Sequence, residues 1–204
     1  MLNEKILNDE HSFIGAWFLE DLSICDELIE FHNNNKNATL GQVTGPDGRS
    51  IVKKEIKDST DTRMLFHLDV TQKYVKELQK VLDAYREKWP SCQSGSGCRI
   101  EAVNLQKYKP AGAYFAWHCE RQADNWPERA RHLVYMTYLN DVNDQGETEF
   151  LNQKIKIKPE KGLTLIWPAD WTHTHRGIAS PSETKYIATG WYQFFDQNSP
   201  SLPF

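Results

Sequence analysis

The first half of the chain contains two stretches in which apolar residues recur at the spacing of an amphipathic helix. The first stretch runs from Leu19 to His32, and Glu20 and Asp21 lie near its start, where negative charge suits the helix dipole. The second runs from Asp69 to Trp89 and is followed by Pro90, which cannot continue a helix. The pattern therefore predicts two helices, with apolar faces made of Leu22, Cys25, Leu28 and Ile29 and of Tyr74, Leu78, Val81, Leu82 and Tyr85.

After Gly97 the chain consists of short runs rich in β-branched and aromatic residues, separated by Gly, Pro, Asn and Asp. Helices followed by a run of strands indicate an α+β protein, with an antiparallel sandwich or barrel that the helices buttress. We predict a single domain over 1–204, made of a helical support region (1–97) and a β core (98–204) that meet near Ser94–Gly97. The predicted strands are Arg99–Leu105, Ala113–Glu120, His132–Leu139, Ile155–Lys158, Leu163–Trp167 and Tyr186–Phe195.

Composition and charge narrow the range of partners. The 204 residues carry a net charge of −4, which argues against nucleic acid or an anionic membrane surface as the main partner. No apolar run reaches the length of a membrane span. The first residues are polar and acidic where a signal peptide needs an apolar core, so we expect a cytoplasmic protein. In that setting Cys92 and Cys98 are expected to be reduced thiols rather than a disulfide.

The candidate chemistry begins at His118-Cys119-Glu120. Side chains alternate between the two faces of a strand, so His118 and Glu120 would share one face while Cys119 points to the other. An imidazole and a carboxylate on one face can bind one metal ion from adjacent corners. The alternative is that this pair is structural or lies on the surface, which is the usual situation for an isolated His-x-Glu.

A third ligand would have to come from a segment distant in the sequence. His173 and His175 both follow the predicted strand Leu163–Trp167. We favour His175, because Gly177 allows close approach and because the spacing to Lys185 fits better. Two imidazoles and one carboxylate form the ligand set of iron(II) oxygenases, which keep coordination positions open.

At this point the residues resemble a known family. From Tyr108 to Trp191 the chain is similar to the iron(II)/2-oxoglutarate-dependent dioxygenases, and specifically to their prolyl 4-hydroxylase-like branch. The matching segments, in order, are Tyr108–Gly112, Trp117–Glu120, Tyr138–Asp141, Gly146–Phe150, Lys158–Gly162 and His175–Gly177 with Lys185.

The resemblance implies a double-stranded β-helix, or jelly roll, as the core. It implies Fe(II) bound by His118, Glu120 and His175, 2-oxoglutarate as cosubstrate, and ascorbate as an aid to sustained activity. Lys185 matches the basic residue that faces the distal carboxylate of 2-oxoglutarate, where an ammonium group is strongly favoured once both groups are desolvated. Tyr108, Tyr138 and Thr189 match positions that add hydroxyl hydrogen bonds to this ligand, and core packing is the alternative for each of them. By strand alternation Trp191 lies on the same face as Lys185 and Thr189, and it is predicted to form a wall of the pocket.

The chain departs from the family at one ligand. The family usually has His-x-Asp, whereas this chain has Glu120, whose side chain is one methylene longer. Glutamate can still supply a single oxygen. The rival interpretation is a non-catalytic jelly-roll binding module with a degenerate metal site, and a zinc or manganese enzyme without 2-oxoglutarate is a further one.

The substrate is indicated only in outline. Aromatic and basic residues surround the ligands, and the polar segment from Arg121 to Arg131 is a candidate lid. A peptidyl proline is the substrate that the resemblance favours, while a free amino acid or another small molecule remains open. Arg131 has an alternative role as an ion-pair partner of Glu147 or Glu149. The residues predicted to contact substrate are Tyr114, Trp117, Arg121 and Trp171.

Overall fold

The computed structural model describes residues 2–7, 12–45, 49–93, 97–122, 124 and 126–194. Its two helices are α1 (Ser23–Asn34) and α2 (Asp69–Lys88), counted over the described residues. In the same part of the chain, the strands are β1 (Gly15–Phe18), β2 (Thr39–Leu40), β3 (Val43–Thr44), β4 (Ser50–Ile51), β5 (Thr60–Arg63), β6 (Cys98–Tyr108), β7 (Arg131–Tyr138), β8 (Thr148–Phe150), β9 (Ile155–Ile157), β10 (Leu163–Pro168), β11 (His175–Gly177) and β12 (Lys185–Phe194).

The strands form a large sheet, a small sheet and a hairpin. The large sheet has the order β1-β10-β7-β12-β6-β5-β2, the small one has the order β11-β8-β9, and β3 pairs with β4. Neighbouring strands are antiparallel throughout these pairings. The predicted α+β class, with a jelly-roll core and helices packed on it, is confirmed.

Strand alternation divides the core into two layers. On β7, Leu133 and Tyr135 point to one side and pack with the helices, among them Tyr74 and Leu78 of α2. Val134, Met136 and Tyr138 point to the other side and pack with Phe150 and Ile157 of the small sheet. The large sheet thus lies between the helices and the small sheet.

Strand β12 is central in the large sheet, where it pairs with β6 on one side and β7 on the other. A close approach fixes its position: a Cβ added to Gly190 would lie 2.0 Å from the Ala102 carbonyl oxygen and 2.4 Å from the Tyr135 hydroxyl. A side chain at position 190 would force these strands apart. Glycine therefore keeps β12 tightly packed between its two neighbours.

The structure corrects two boundaries of the helix and strand predictions. The first helix begins at Ser23 rather than near Leu19, because the Leu19 amide donates to the Gly162 carbonyl and the Asp21 carboxylate accepts from the Ser23 amide. The predicted strand Ala113–Glu120 is not continuous: within this described stretch only Tyr114 and His118 form isolated bridges.

The first half of the chain also contributes strands that the hydrophobic pattern did not predict. Strands β1, β2 and β5 belong to the large sheet, and β3 and β4 form their own hairpin. These strands are short, so the pattern gave little signal for them. Much of the predicted joint, Ser94–Gly97, lies outside the described residues.

Two further observations concern membranes and thiols. Over the described residues, we find no helix that combines the length and the apolar character needed to span a bilayer. Cys25, Cys92, Cys98 and Cys119 are free thiols.

Candidate active site

A cavity of about 220 Å³ lies between the large sheet and the small one. Strand β12 supplies one wall, because Lys185, Ile187, Thr189 and Trp191 alternate onto the face that looks at the small sheet. Seven of the eleven residues predicted for the site line this cavity: Lys185 and Thr189 of this strand, and Tyr108, Tyr114, His118, Glu120 and His175.

His118, Glu120 and His175 converge at one end of the cavity. Each offers one donor atom, and these three atoms lie within 4.8 Å of one another. The Oε1 atom of Glu120 is 3.4 Å from His118 Nε2 and 3.5 Å from His175 Nε2. Two imidazole nitrogens and one carboxylate oxygen in this arrangement fit a divalent metal such as iron(II).

The main chain holds the two histidines beside each other. The His118 amide donates to the His175 carbonyl at 3.0 Å, and the His175 amide donates to the His118 carbonyl at 2.8 Å. On each ring, Nδ1 faces a main-chain carbonyl, that of Ala116 at 3.0 Å for His118 and that of His173 at 2.9 Å for His175. With a metal ion bound, these carbonyls would accept the proton on Nδ1 and leave the Nε2 lone pair for the ion, which is the tautomer a metal ligand requires.

The protonation states also suit a metal site. Burial alone would raise the pKa of Glu120, but hydrogen bonds and charge interactions with His118 and His175 hold it well below its usual value. Burial lowers the pKa of His175, and the neighbouring His118 lowers it further. An ionised carboxylate and a neutral imidazole are the forms that bind metal ions.

Lys185 also lines this cavity. Its side chain is buried, with 5% of the residue's surface exposed. Its Nζ donates to two main-chain carbonyls, that of Gly146 at 2.7 Å and that of Ile178 at 3.4 Å. Burial lowers its pKa to about 8, which the negative charge of Glu147 partly opposes. Since its acceptors are neutral, the ammonium retains a strong preference for an anion in the cavity.

The three predicted hydroxyl groups have different surroundings. Tyr108 and Thr189 line the cavity, but they donate to Gln106 Oε1 at 2.6 Å and to the Tyr135 carbonyl at 2.9 Å. Either hydroxyl would have to change its partner to donate to a bound carboxylate.

Tyr138, which was predicted to bond to the cosubstrate, is not among the residues that line the cavity. It is fully buried, and its hydroxyl lies 2.6 Å from Thr148 Oγ1 and 3.1 Å from the Ile157 carbonyl oxygen. It packs behind Thr148, which itself lines the cavity. The alternative of core packing therefore describes Tyr138.

The residues predicted to contact substrate are spread from the cavity to its surroundings. Tyr114 lines the cavity and stacks on the His118 ring at 3.8 Å between centroids. Trp117 is partly exposed, and its ring lies 4.4 Å from the guanidinium carbon of the cavity residue Arg176. Arg121 pairs with Asp170, and Trp171 is 72% exposed. Substrate contact by these side chains stays a prediction.

Two residues considered in the sequence analysis, His173 and Arg131, have hydrogen-bond partners that the sequence did not predict. His173, the rejected alternative to His175, is buried with its Nε2 2.8 Å from the Ser12 carbonyl oxygen. Arg131 does not pair with Glu147 or Glu149. It pairs with Glu101, with Nε and Nη2 each 3.0 Å from a carboxylate oxygen.

The β3–β4 hairpin is the part of the site that the sequence analysis missed. Val43, Thr44 and Ser50 of this hairpin line the cavity, together with the buried Lys57. The sequence feature that could have predicted this hairpin is the turn-rich segment Gly45–Gly48. Residues 46–48 lie outside the described residues. The proposed lid, Arg121 to Arg131, is likewise described except for residues 123 and 125.

Comparison with known proteins agrees with this fold. Residues 103–193 match the family model of the 2OG-Fe(II) oxygenase superfamily. None of the curated proteins matches the chain significantly.

Solved structures resemble it over most of its length. The viral collagen prolyl hydroxylase of Paramecium Bursaria Chlorella virus-1, in a 2-oxoglutarate complex, is 23% identical with a TM-score of 0.67, over 90% of this chain and 97% of that one. A Pseudomonas putida prolyl-4-hydroxylase is 14% identical with a TM-score of 0.67, over 88% and 92%. A Trichoplax adhaerens prolyl hydroxylase, complexed with a peptide fragment of the hypoxia inducible factor oxygen degradation domain, is 15% identical with a TM-score of 0.70, over 90% and 84%.

The family match covers the strands that carry the candidate ligands and Lys185, and the structural likeness extends to the helices. Residues 103–193 are therefore similar to the 2OG-Fe(II) oxygenase superfamily, and the chain shares its fold with the prolyl hydroxylases named above. This similarity implies Fe(II) as cofactor and 2-oxoglutarate as cosubstrate, and the cluster of His118, Glu120 and His175 fits the metal.

Proposed function

We propose that this protein is a 2-oxoglutarate-dependent iron(II) oxygenase of the prolyl 4-hydroxylase-like type. We propose further that it hydroxylates a proline residue in a peptide, with Fe(II) bound by His118, Glu120 and His175 and with Lys185 holding the distal carboxylate of 2-oxoglutarate. One observation carries the proposal: a buried ammonium with neutral acceptors shares a cavity with a two-histidine, one-carboxylate cluster. When bound, iron(II) couples the oxidative decarboxylation of 2-oxoglutarate by O₂, which yields succinate and CO₂, to oxidation of the substrate.

The chain's own contribution is positioning and charge. The Nδ1 hydrogen bonds of His118 and His175 hold both Nε2 lone pairs toward one point. The Lys185 ammonium favours a ligand whose two acidic ends are separated, because its Nζ and the triad both border the cavity. The two sheets around the cavity limit the access of water.

A peptide substrate is supported by the structural neighbours and by exposed aromatic side chains near His118 in the sequence. The structural relatives named above are prolyl hydroxylases, and one of them was solved with a peptide. In the segment that leads to His118, Trp117 and Phe115 are exposed at 37% and 36%. A proline ring packs well on aromatic side chains of this kind.

The proposal is tested by following succinate release with Fe(II), 2-oxoglutarate and ascorbate, the last of which we propose sustains activity. We expect release to rise when a proline-rich peptide is added, and the peptide to gain one oxygen atom by mass spectrometry. The matched control peptide carries alanine in place of each proline and should give no stimulation. Equal stimulation by both peptides would reject a peptidyl proline, and stimulation by free amino acids alone would favour a small-molecule substrate.

The depressed pKa of Lys185 makes 2-oxoglutarate binding depend on pH. The anion needs the protonated ammonium, whose pKa is lowered to about 8 by burial. We therefore expect the Kd for 2-oxoglutarate to be lowest below pH 8 and to rise roughly tenfold per pH unit well above it. Calorimetry between pH 6.5 and 9.5 measures this, with Lys185→Arg as control, because arginine stays charged over that range. A Kd that stays constant to pH 9.5 would contradict the assignment.

The same group has the opposite effect on the stability of the ligand-free protein. Between about pH 8 and pH 10.5, which are the pKa values of Lys185 in the folded chain and in an unfolded one, Lys185 is protonated to a smaller extent in the folded chain. The contribution of Lys185 to the free energy of unfolding therefore increases with pH through this window.

A further inference from the structure

The two carboxylate oxygens of Glu120 have different surroundings. Oε1 faces the two imidazoles, at 3.4 Å from His118 Nε2 and 3.5 Å from His175 Nε2. Oε2 points away from them and accepts a hydrogen bond from Trp191 Nε1 at 2.8 Å. It also lies 3.9 Å from Arg131 Nη1. The carboxylate is thus oriented from behind, with one oxygen presented to the cluster.

The groups that hold Oε2 come from three adjacent strands of the large sheet. Trp191 lies on β12, and the guanidinium of Arg131, at the start of β7, lies 3.7 Å from the centre of its ring. Arg131 is fixed in turn by two hydrogen bonds to the buried Glu101 on β6. Its Nη1 also donates to the Glu120 carbonyl at 3.1 Å. A stacked and bidentate arrangement of this kind leaves the indole little freedom to move.

We propose that Trp191 is a positioning residue that holds Glu120 as a one-oxygen ligand, with Arg131 and Glu101 fixing the indole. This inference rests on the proposed role of the triad in metal binding. Two imidazoles, one carboxylate oxygen and a chelating 2-oxo acid leave room on an octahedral ion for O₂, whereas a second carboxylate oxygen would occupy the remaining position. The Trp191 hydrogen bond occupies that second oxygen.

The length of glutamate matters to this arrangement. An aspartate at position 120 would place its carboxylate about 1.5 Å nearer the main chain, the length of one C–C bond. It could not face both imidazoles and still reach Trp191 Nε1. Glu120 and Trp191 therefore act as a pair, and the tryptophan should matter when residue 120 is glutamate and hardly matter when it is aspartate.

This pairing is tested by measuring metal affinity, which needs no turnover. Co(II) is the probe, because it resists oxidation and its visible absorption responds to coordination number. Calorimetry and absorption titration give its Kd for four proteins: the natural chain, Trp191→Phe, Glu120→Asp and the double variant. Trp191→Phe keeps a ring beside Arg131 and removes the N–H donor. Trp89→Phe, on the helix side of the sheet, is the matched control for loss of an indole.

We expect Trp191→Phe to weaken Co(II) binding about tenfold and to change the absorption spectrum, as loss of a hydrogen bond to a ligand does. In the Glu120→Asp background the same substitution should change the Kd less than twofold. Trp89→Phe should leave the Kd unchanged. Thermal unfolding of each variant shows whether it is folded.

Two results would overturn the inference. One is an unchanged Kd in Trp191→Phe, and the other is an equal loss in the glutamate and aspartate backgrounds, which would mean that the indole does not act through Glu120. Failure of the triad as a metal site is distinguishable from both, because the natural chain itself would then bind no Co(II). Failure of the proposed substrate would leave all four Co(II) affinities as expected.

Discussion

Replacing Lys185 with methionine is expected to raise the Kd for 2-oxoglutarate roughly 100-fold, which corresponds to about 3 kcal/mol of binding free energy. The ammonium is buried and its acceptors are the neutral Gly146 and Ile178 carbonyls, so a carboxylate that enters the cavity gains a strong charge interaction from this group. Methionine fills a similar volume without the charge. Calorimetry with 2-oxoglutarate, in the presence of a redox-inert metal, measures the effect.

Lys57 offers a matched control in the same cavity. It is equally buried, but its Nζ is 2.6 Å from Asp61 Oδ2, so its charge is already neutralised. We expect Lys57→Met to change the Kd for 2-oxoglutarate less than about threefold. If Lys57→Met and Lys185→Met weakened binding equally, the distal carboxylate would not be held by Lys185 in particular.

The second large effect concerns the metal. His175→Ala should weaken Fe(II) or Co(II) binding by more than about 100-fold and abolish succinate release, because loss of a ligand exceeds the 10- to 100-fold loss that is typical of outer hydrogen-bond partners. His175 Nε2 faces Glu120, and its ring packs between Phe150 and Trp167. Thermal unfolding should accompany the measurement, since the truncation leaves a cavity there.

His173→Gln separates the two histidines that the sequence could not fully distinguish. His173 is two residues away and equally buried, but its Nε2 bonds to the Ser12 carbonyl. We expect this variant to lose about 1 kcal/mol of unfolding free energy and to keep its metal affinity. A loss of metal binding in His173→Gln with retention in His175→Ala would reverse the ligand assignment.

The parts of the fold that followed from the sequence are those with a strong local period. The twenty-residue helix α2 was predicted to within one residue, because its apolar face is long and Pro90 ends it. On β12, alternation alone put Lys185, Thr189 and Trp191 on one face, and all three line the cavity.

Around His118, the sequence correctly predicted that His118 and Glu120 face the same way, but it predicted a continuous strand that the structure does not contain in this described stretch. The stretch 113–120 changes partner along its length: the Phe115 amide bonds to Ile56, that of His118 to His175, and that of Glu120 to Ala169. No single neighbouring strand accompanies it within these described residues, so it does not form a regular ladder. Local alternation carries no information about such a change of partners.

The remaining features depend on contacts between distant segments. Arg131 on β7 pairs with Glu101 on β6, across the intervening strand β12, although Glu147 and Glu149 were the acidic residues considered from the sequence. The indole hydrogen bond from Trp191 to Glu120 joins residues 71 positions apart. Periodicity assigns a residue to a face, but strand order and side-chain direction decide its partner.

The two main-chain hydrogen bonds between His118 and His175 have a consequence for the ion itself. Ligands on independent loops lose backbone freedom when a metal gathers them, and that entropy cost reduces the affinity. Here the fold has already fixed both backbones beside each other, so the ion has only side-chain rotamers to restrict. The site is preorganised, and release of the ion would leave the surrounding sheets in place to receive another.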